Sequence, residues 1–150
     1  MTIRDRAPKR ILRQVIDERL KAGQVLYLEC DFTVPKARWK YLLLASRCEP
    51  ALVIVINTSR NQFILRDDNR RACQVKLRQA DHPFMKHNSW IDCGDVHEVD
   101  AEEIADQIIE DFGRIKGQIR PAVARQVIGA VKRSMSVAPR HKDIIAATLG

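Results

Sequence analysis

Apolar residues recur with two different periods along this chain, and the change between them falls at residue 23. Before it, Ile11, Leu12, Val15, Ile16 and Leu20 make one stripe at helical spacing. Pro8 suits a first turn and Gly23 a C-terminal cap, so residues 8–22 are predicted to be helical. From Gln24 onward come short apolar runs parted by turn-forming residues: "QVLYLECDF", "WKYLLLAS" and "ALVIVINT", then the weaker "ACQVKLRQ" and "NSWIDC". Five short strands without intervening helices predict an antiparallel sheet or a small barrel. Helical spacing returns after Asp100-x-x-Glu103, which resembles a capping box, with a stripe of Ile104, Ile108, Ile109 and Phe112 and a stop at Gly113. A further helix carries Ile119, Val123, Val127, Ile128 and Val131 and spans Pro121 near its start, and a last short one carries Ile144, Ile145 and Leu149. The expected fold class is α+β.

One strand poses a functional question. "PALVIVINTSRNQ" (residues 50–62) runs through six apolar residues without alternation, as a strand covered on both faces would. It then ends in Asn57, Thr58, Ser59, Arg60 and Asn61. Two readings stand for that cluster. Asn and Ser bond their own backbone in turns, or the strand beneath holds these groups rigid as a site.

Length and composition match one soluble globular domain over residues 1–150: hydrophobic residues make up 45% and charged residues 30%. No run approaches the 18 to 20 or so apolar residues that span a bilayer. The N-terminus is charged throughout and lacks the apolar stretch of a signal peptide. Cytoplasmic localisation is therefore expected. Cys30, Cys48, Cys73 and Cys93 lie far apart, as buried thiols of a reducing compartment would. A metal reading has only His82, His87, Cys93 and His97 to draw on, without the tight ligand pairs of zinc sites. Turn and surface histidines are expected instead, with no metal and no cofactor.

The net charge is +7, and it is unevenly spread. Residues 1–22 carry +4, residues 23–99 carry +2, residues 100–113 carry −6 and residues 114–150 carry +7. A basic surface concentrates polyanions and makes their binding salt-dependent. Aromatic residues are only 5%, which argues against a wide base-stacking platform. There is no G-x-S-x-G elbow, phosphate-binding glycine loop, H-E-x-x-H pair or dinucleotide fingerprint. An enzyme built on this chain would have to work with cations, hydroxyls and carboxamides.

The order and spacing of "AGQVLYLECDF", "RWKYLLLAS", "ALVIVINTS" and "HNSWIDC", followed by "DAEEIADQIIEDF", resemble the MazF/PemK-like toxins of toxin–antitoxin systems. The resemblance covers residues 23 to about 115. It implies a small SH3-like antiparallel β-barrel over residues 23–99, to which the N-terminal helix read in residues 1–22 and the helical extension over residues 100–150 are added, residues 1–22 and 116–150 being extra to the compact family form. It implies a metal-independent endoribonuclease that cleaves single-stranded RNA, a homodimer, and a cognate antitoxin as partner. The family's catalytic basic residue falls on Lys40, with Arg38 beside it, and its catalytic hydroxyl on Thr58. Ser59, Arg60 and Asn61 then become substrate-binding candidates. Gly23-Gln24 stands where the family has Gly-Asp, and Lys40-Tyr41 where it commonly has Arg-Pro. The alternative function is a non-catalytic SH3-like barrel, possibly phage-encoded, that binds nucleic acid or a protein partner. Asp92 and Ser89 are read as braces of the last strand, and Trp39 and Trp90 as core or interface residues able to stack on a base.

Overall fold

Pro8 caps a helix whose buried side is Leu12 and Ile16, with Leu20 closing it: α1, Lys9–Arg19. The computed structural model describes residues 8–32 and 38–150. Gly23 turns the chain into the sheet at φ +93°, the left-handed region that glycine enters without penalty. The strands are β1 (Gln24–Cys30), β2 (Arg38–Ser46), β3 (Ala51–Asn57), β4 (Gln74–Leu77), β5 (Ser89–Val99) and β6 (Ile115–Gln118). They form one antiparallel sheet in the order β4-β5-β3-β2-β1-β6.

That sheet is open and does not close into the expected SH3-like barrel. The reason lies in the helices. On one face, Leu43, Leu52 and Ile54 join Val127 and Val131 of α5 (Pro121–Arg133) and Ile145 of α6 (Pro139–Leu149). On the other, Leu42, Leu44 and Val53 join Ile16 and Leu20 of the α1 segment and Ile104 and Ile108 of α4 (Ala101–Glu110). A sheet buried on both faces has no apolar side left to hide by curling, and its central strands read as unbroken hydrophobic runs. "LLLAS" and "ALVIVI" are such runs.

Three local expectations are also revised. Two short helices, α2 (Gln62–Arg66) and α3 (Asp68–Ala72), lie between β3 and β4, each opened by a side-chain cap from Asn61 or Asp67. The strand expected to end at Cys93 continues to Val99. β6 pairs with β1, so the C-terminal region contributes to the sheet as well as covering it. Asp100 does cap α4, accepting from the Glu102 amide at 2.9 Å. The helix ends at Glu110, and a 3₁₀ turn over Phe112–Arg114 follows. Ile119 precedes α5 instead of lying in it, yet is buried in the same core. Leu12, Ile16 and Leu20 at α1 and Ile104 and Ile108 of α4 are buried within the chain itself, while Ile11 of α1 stays 42% exposed.

Two expected outcomes follow from this packing. A Cβ added at Gly117 in β6 would overlap the Phe84 ring, reaching within 2.6 Å of its Cγ. Overpacking of that kind costs about 1–3 kcal/mol. Gly117→Ala should therefore lower the denaturant midpoint with an unchanged slope. Cys30, Cys73 and Cys93 are buried while Cys48 is exposed. Burial pushes the Cys30 thiol up to about 11 and raises Cys73 and Cys93 as well. Maleimide should label one cysteine of the native protein quickly, and all four after denaturation.

Candidate functional site

β3 delivers its polar end to one rim of the sheet, where two clefts lie, one on each face. The first, of about 320 Å³, is lined by Phe32, Arg38, Lys40, Val55, Asn57 and Asn61, with Ile64, Arg70, Asp92, Asp95 and His97. The second, of about 360 Å³, is lined by Tyr27, Trp39, Lys40, Tyr41, Ile56, Asn57, Thr58 and Ser59. Lys40 and Asn57 line both. They come together because β2 and β3 pair antiparallel, with Tyr41 opposite Ile56.

A bulge shapes the first cleft. Between Ile54↔Val96 and Ile56↔Ile91, β3 advances two residues while β5 advances five. Such extra residues bend a strand and re-aim its side chains, and they recur beside active sites. Here the bulge spans Asp92 to Asp95. Asp92, nearly buried, accepts from Arg70 Nη2 at 2.9 Å and from Gln74 Nε2 at 2.7 Å. It braces β5 against β4 and α3, as expected, and lines the cleft besides. Among the described residues Arg70 Nε is a buried donor without a partner. Buried donors of that kind are uncommon and call for an explanation. Because Arg70 lines the cleft, an anion there would find an unused N–H close by.

His97 and Asp95 stand two residues apart on β5, with His97 Nε2 donating a hydrogen bond to Asp95 Oδ2 at 3.1 Å. The hydrogen bond from His97 is the largest influence on Asp95 and holds its carboxyl below the usual range. Phe32 stacks on the imidazole, with ring centroids 4.2 Å apart and planes 12° apart. The ring plane is thus fixed on one side and one ring nitrogen is engaged. Among the described residues the other ring nitrogen has no hydrogen-bond partner.

The polar strand end answers to both of its readings. Asn61 is a structural cap: its carbonyl oxygen accepts from the Ile64 amide at 2.9 Å, and its side chain also lines the first cleft. Thr58 and Ser59 sit exposed in the bend beyond β3 and line the second cleft with Lys40. Arg38 joins Lys40 in the first cleft. Arg60 lines neither cleft and lies over the Trp90 ring, 3.9 Å from its centroid. The structure therefore brings Lys40 together with Thr58 and Ser59 on one side, and with Arg38 and Asn61 on the other.

His97, Asp95 and Arg70 were missed as site residues. The available signal was Asp-x-His in a strand, a spacing that puts both side chains on one face. The four residues considered as metal ligands do not converge. The buried His82 spends Nδ1 on the Arg78 carbonyl at 2.9 Å and accepts at Nε2 from the Arg120 amide at 3.1 Å. Cys93 is in the core. Among the described residues no three His, Cys, Asp or Glu side chains are placed to hold a metal ion. Among the same residues no helix is long and apolar enough to cross a membrane. Neither a known family nor a curated protein matches the chain.

Proposed function

We propose that this chain is an endoribonuclease of the toxin type that cleaves single-stranded RNA without a metal ion, at the rim where the two clefts meet. The observation that carries the reading is a lysine sharing one cleft with an aspartate-held histidine: Lys40 with His97 and Asp95. Cleavage requires a bond from the ribose 2′-oxygen to phosphorus to form and the bond to the 5′-oxygen to break. The neutral His97 imidazole accepts the 2′-OH proton. Lys40, with Arg38 and Arg70, offsets the extra negative charge on the phosphoryl oxygens, and the Lys40 ammonium donates a proton to the leaving 5′-oxygen. Thr58 donates its hydroxyl to the same phosphate from the second cleft. Apart from Arg70 on α3, these groups sit on strands or directly beyond them, which favours fixed geometry over a site that must be ordered on binding.

The reading rests on the clefts and does not need a closed barrel. The antitoxin and the homodimer belong to the same proposal through the resemblance; light scattering tests the dimer. The decisive experiment incubates purified protein with single-stranded RNA in chelator. Fragments ending in 2′,3′-cyclic phosphate and 5′-OH are expected, together with growth arrest when the protein is induced in a bacterial host. RNA that is bound but stays intact would replace this reading with that of a non-catalytic nucleic-acid-binding protein.

A further inference from the structure

Only 5% of the chain is aromatic, yet three of those residues meet on one face at the end of the sheet. Tyr27 lies against Trp39, with centroids 5.5 Å apart and planes at 26°, and against Tyr41 at 4.8 Å. The register explains the meeting, since Tyr27 pairs with Tyr41 across the β1–β2 hairpin and Trp39 is two residues along the same face. Trp39 is 41% exposed. It stands on the open half of β2, whose other half is fully buried.

What surrounds the rings is cationic and polar. The Arg114 guanidinium lies 4.7 Å from the Trp39 centroid, and Lys116 Nζ lies 5.9 Å from that of Tyr27. Both belong to the segment after residue 113, which carries +7. Thr58 and Ser59 supply hydroxyls on the opposite rim, and Lys40 connects this cleft with the one that holds His97. Aromatic rings for a base, cations for the backbone and small polar groups for base edges are what single-stranded nucleic acid selects. A volume of about 360 Å³ lies in the range of small-molecule sites.

We propose that Tyr27, Trp39 and Tyr41 form a stacking subsite for one unpaired RNA base, next to the phosphate held at Lys40. This rests on the endoribonuclease reading for its orientation, but its test does not need cleavage. The strand would cross the rim of the sheet, with a base on the aromatic face and the sugar and phosphate continuing over Lys40 toward His97. Stacking on an aromatic ring tolerates any base, so the subsite anchors the strand and leaves selection to polar groups beside it such as the Ser59 hydroxyl.

The test uses the full chain carrying His97→Ala, so that bound RNA stays whole, and follows fluorescence anisotropy of a labelled single-stranded RNA ten-mer. An abasic strand of the same length and charge serves as the control. Adding Trp39→Ala should weaken binding of the RNA about tenfold and leave binding of the abasic strand unchanged, with the same salt dependence. Trp39→Phe should restore most of the loss. With Trp90→Phe in place, RNA should quench the remaining Trp39 emission. Equal binding of RNA and abasic strand, undiminished binding by a folded Trp39→Ala protein, or no RNA binding at all would overturn the subsite. The two readings fail separately. A wild-type protein that binds RNA with this Trp39 dependence but cuts nothing refutes the nuclease, while one that cuts yet ignores Trp39→Ala refutes the platform.

Discussion

His97→Ala is expected to slow RNA cleavage about a thousandfold while leaving the protein folded. A positioned general base contributes between about a hundredfold and ten thousandfold, and here the imidazole has features such a base needs. Asp95 engages one ring nitrogen at 3.1 Å, and Phe32 stacks on the ring plane at 4.2 Å. Removing the ring takes away the proton acceptor and the stacked contact but leaves Lys40, Arg38 and Arg70 to bind phosphate. The loss should therefore fall on kcat, with KM little changed. Added imidazole should recover part of the rate, which a purely structural defect would not allow. Asp95→Asn should cost less, about tenfold, because the ring keeps its stack and loses only its charged partner. Since the hydrogen bond from His97 holds the Asp95 carboxyl below the usual range, Asp95 stays ionised to lower pH than an ordinary carboxylate. A His97→Ala protein that cuts as fast as wild type would remove His97 from the mechanism.

Lys40→Ala is the second large effect. Loss of one donor to the transition state costs roughly 3 kcal/mol, about a hundredfold in rate. Lys40 differs from Thr58 in one respect that can be measured. It neutralises phosphate in the ground state too, so Lys40→Ala should weaken RNA binding and lower the salt slope by about one. Thr58→Ala should slow cleavage by a similar factor yet leave binding and its salt dependence intact. Because both line one cleft and act on one phosphate, the double variant should be little slower than either single change. Folding should hardly register Thr58→Ala, an exposed substitution worth less than about 0.5 kcal/mol. If Thr58→Ala cuts like wild type, the bend after β3 is a turn and nothing more, and catalysis belongs to the first cleft alone.

Much of the scaffold was legible because it is written locally. The period-3.6 stripes located α1, α4 and α5, and the unalternated run from Ala51 to Ile56 correctly declared a strand buried on both faces. The polar residues after it marked where that strand ends, and Lys40 and Thr58 do share a cleft. The short helices α2 and α3 escaped because five residues complete barely one turn and show no period. β6 escaped because "IKGQ" has one apolar residue, and its place is secured by pairing with β1, far away in sequence.

What the sequence determined by itself is the kind of elements present, their approximate bounds and which strand faces are apolar, since these follow from spacing along a single segment. Tertiary structure alone decided whether the sheet closes, because that depends on helices from both ends of the chain covering opposite faces. It also decided the site. His97 reaches the cleft of Lys40 through a bulge of β5 against β3, and three scattered aromatics form a cluster only in the register of the β1–β2 hairpin. Register and bulges are set by pairings between distant residues, where a shift of one position would send every side chain to the other face. Periodicity within one strand is unchanged by such a shift, and so it carries no record of which register the folded chain adopts.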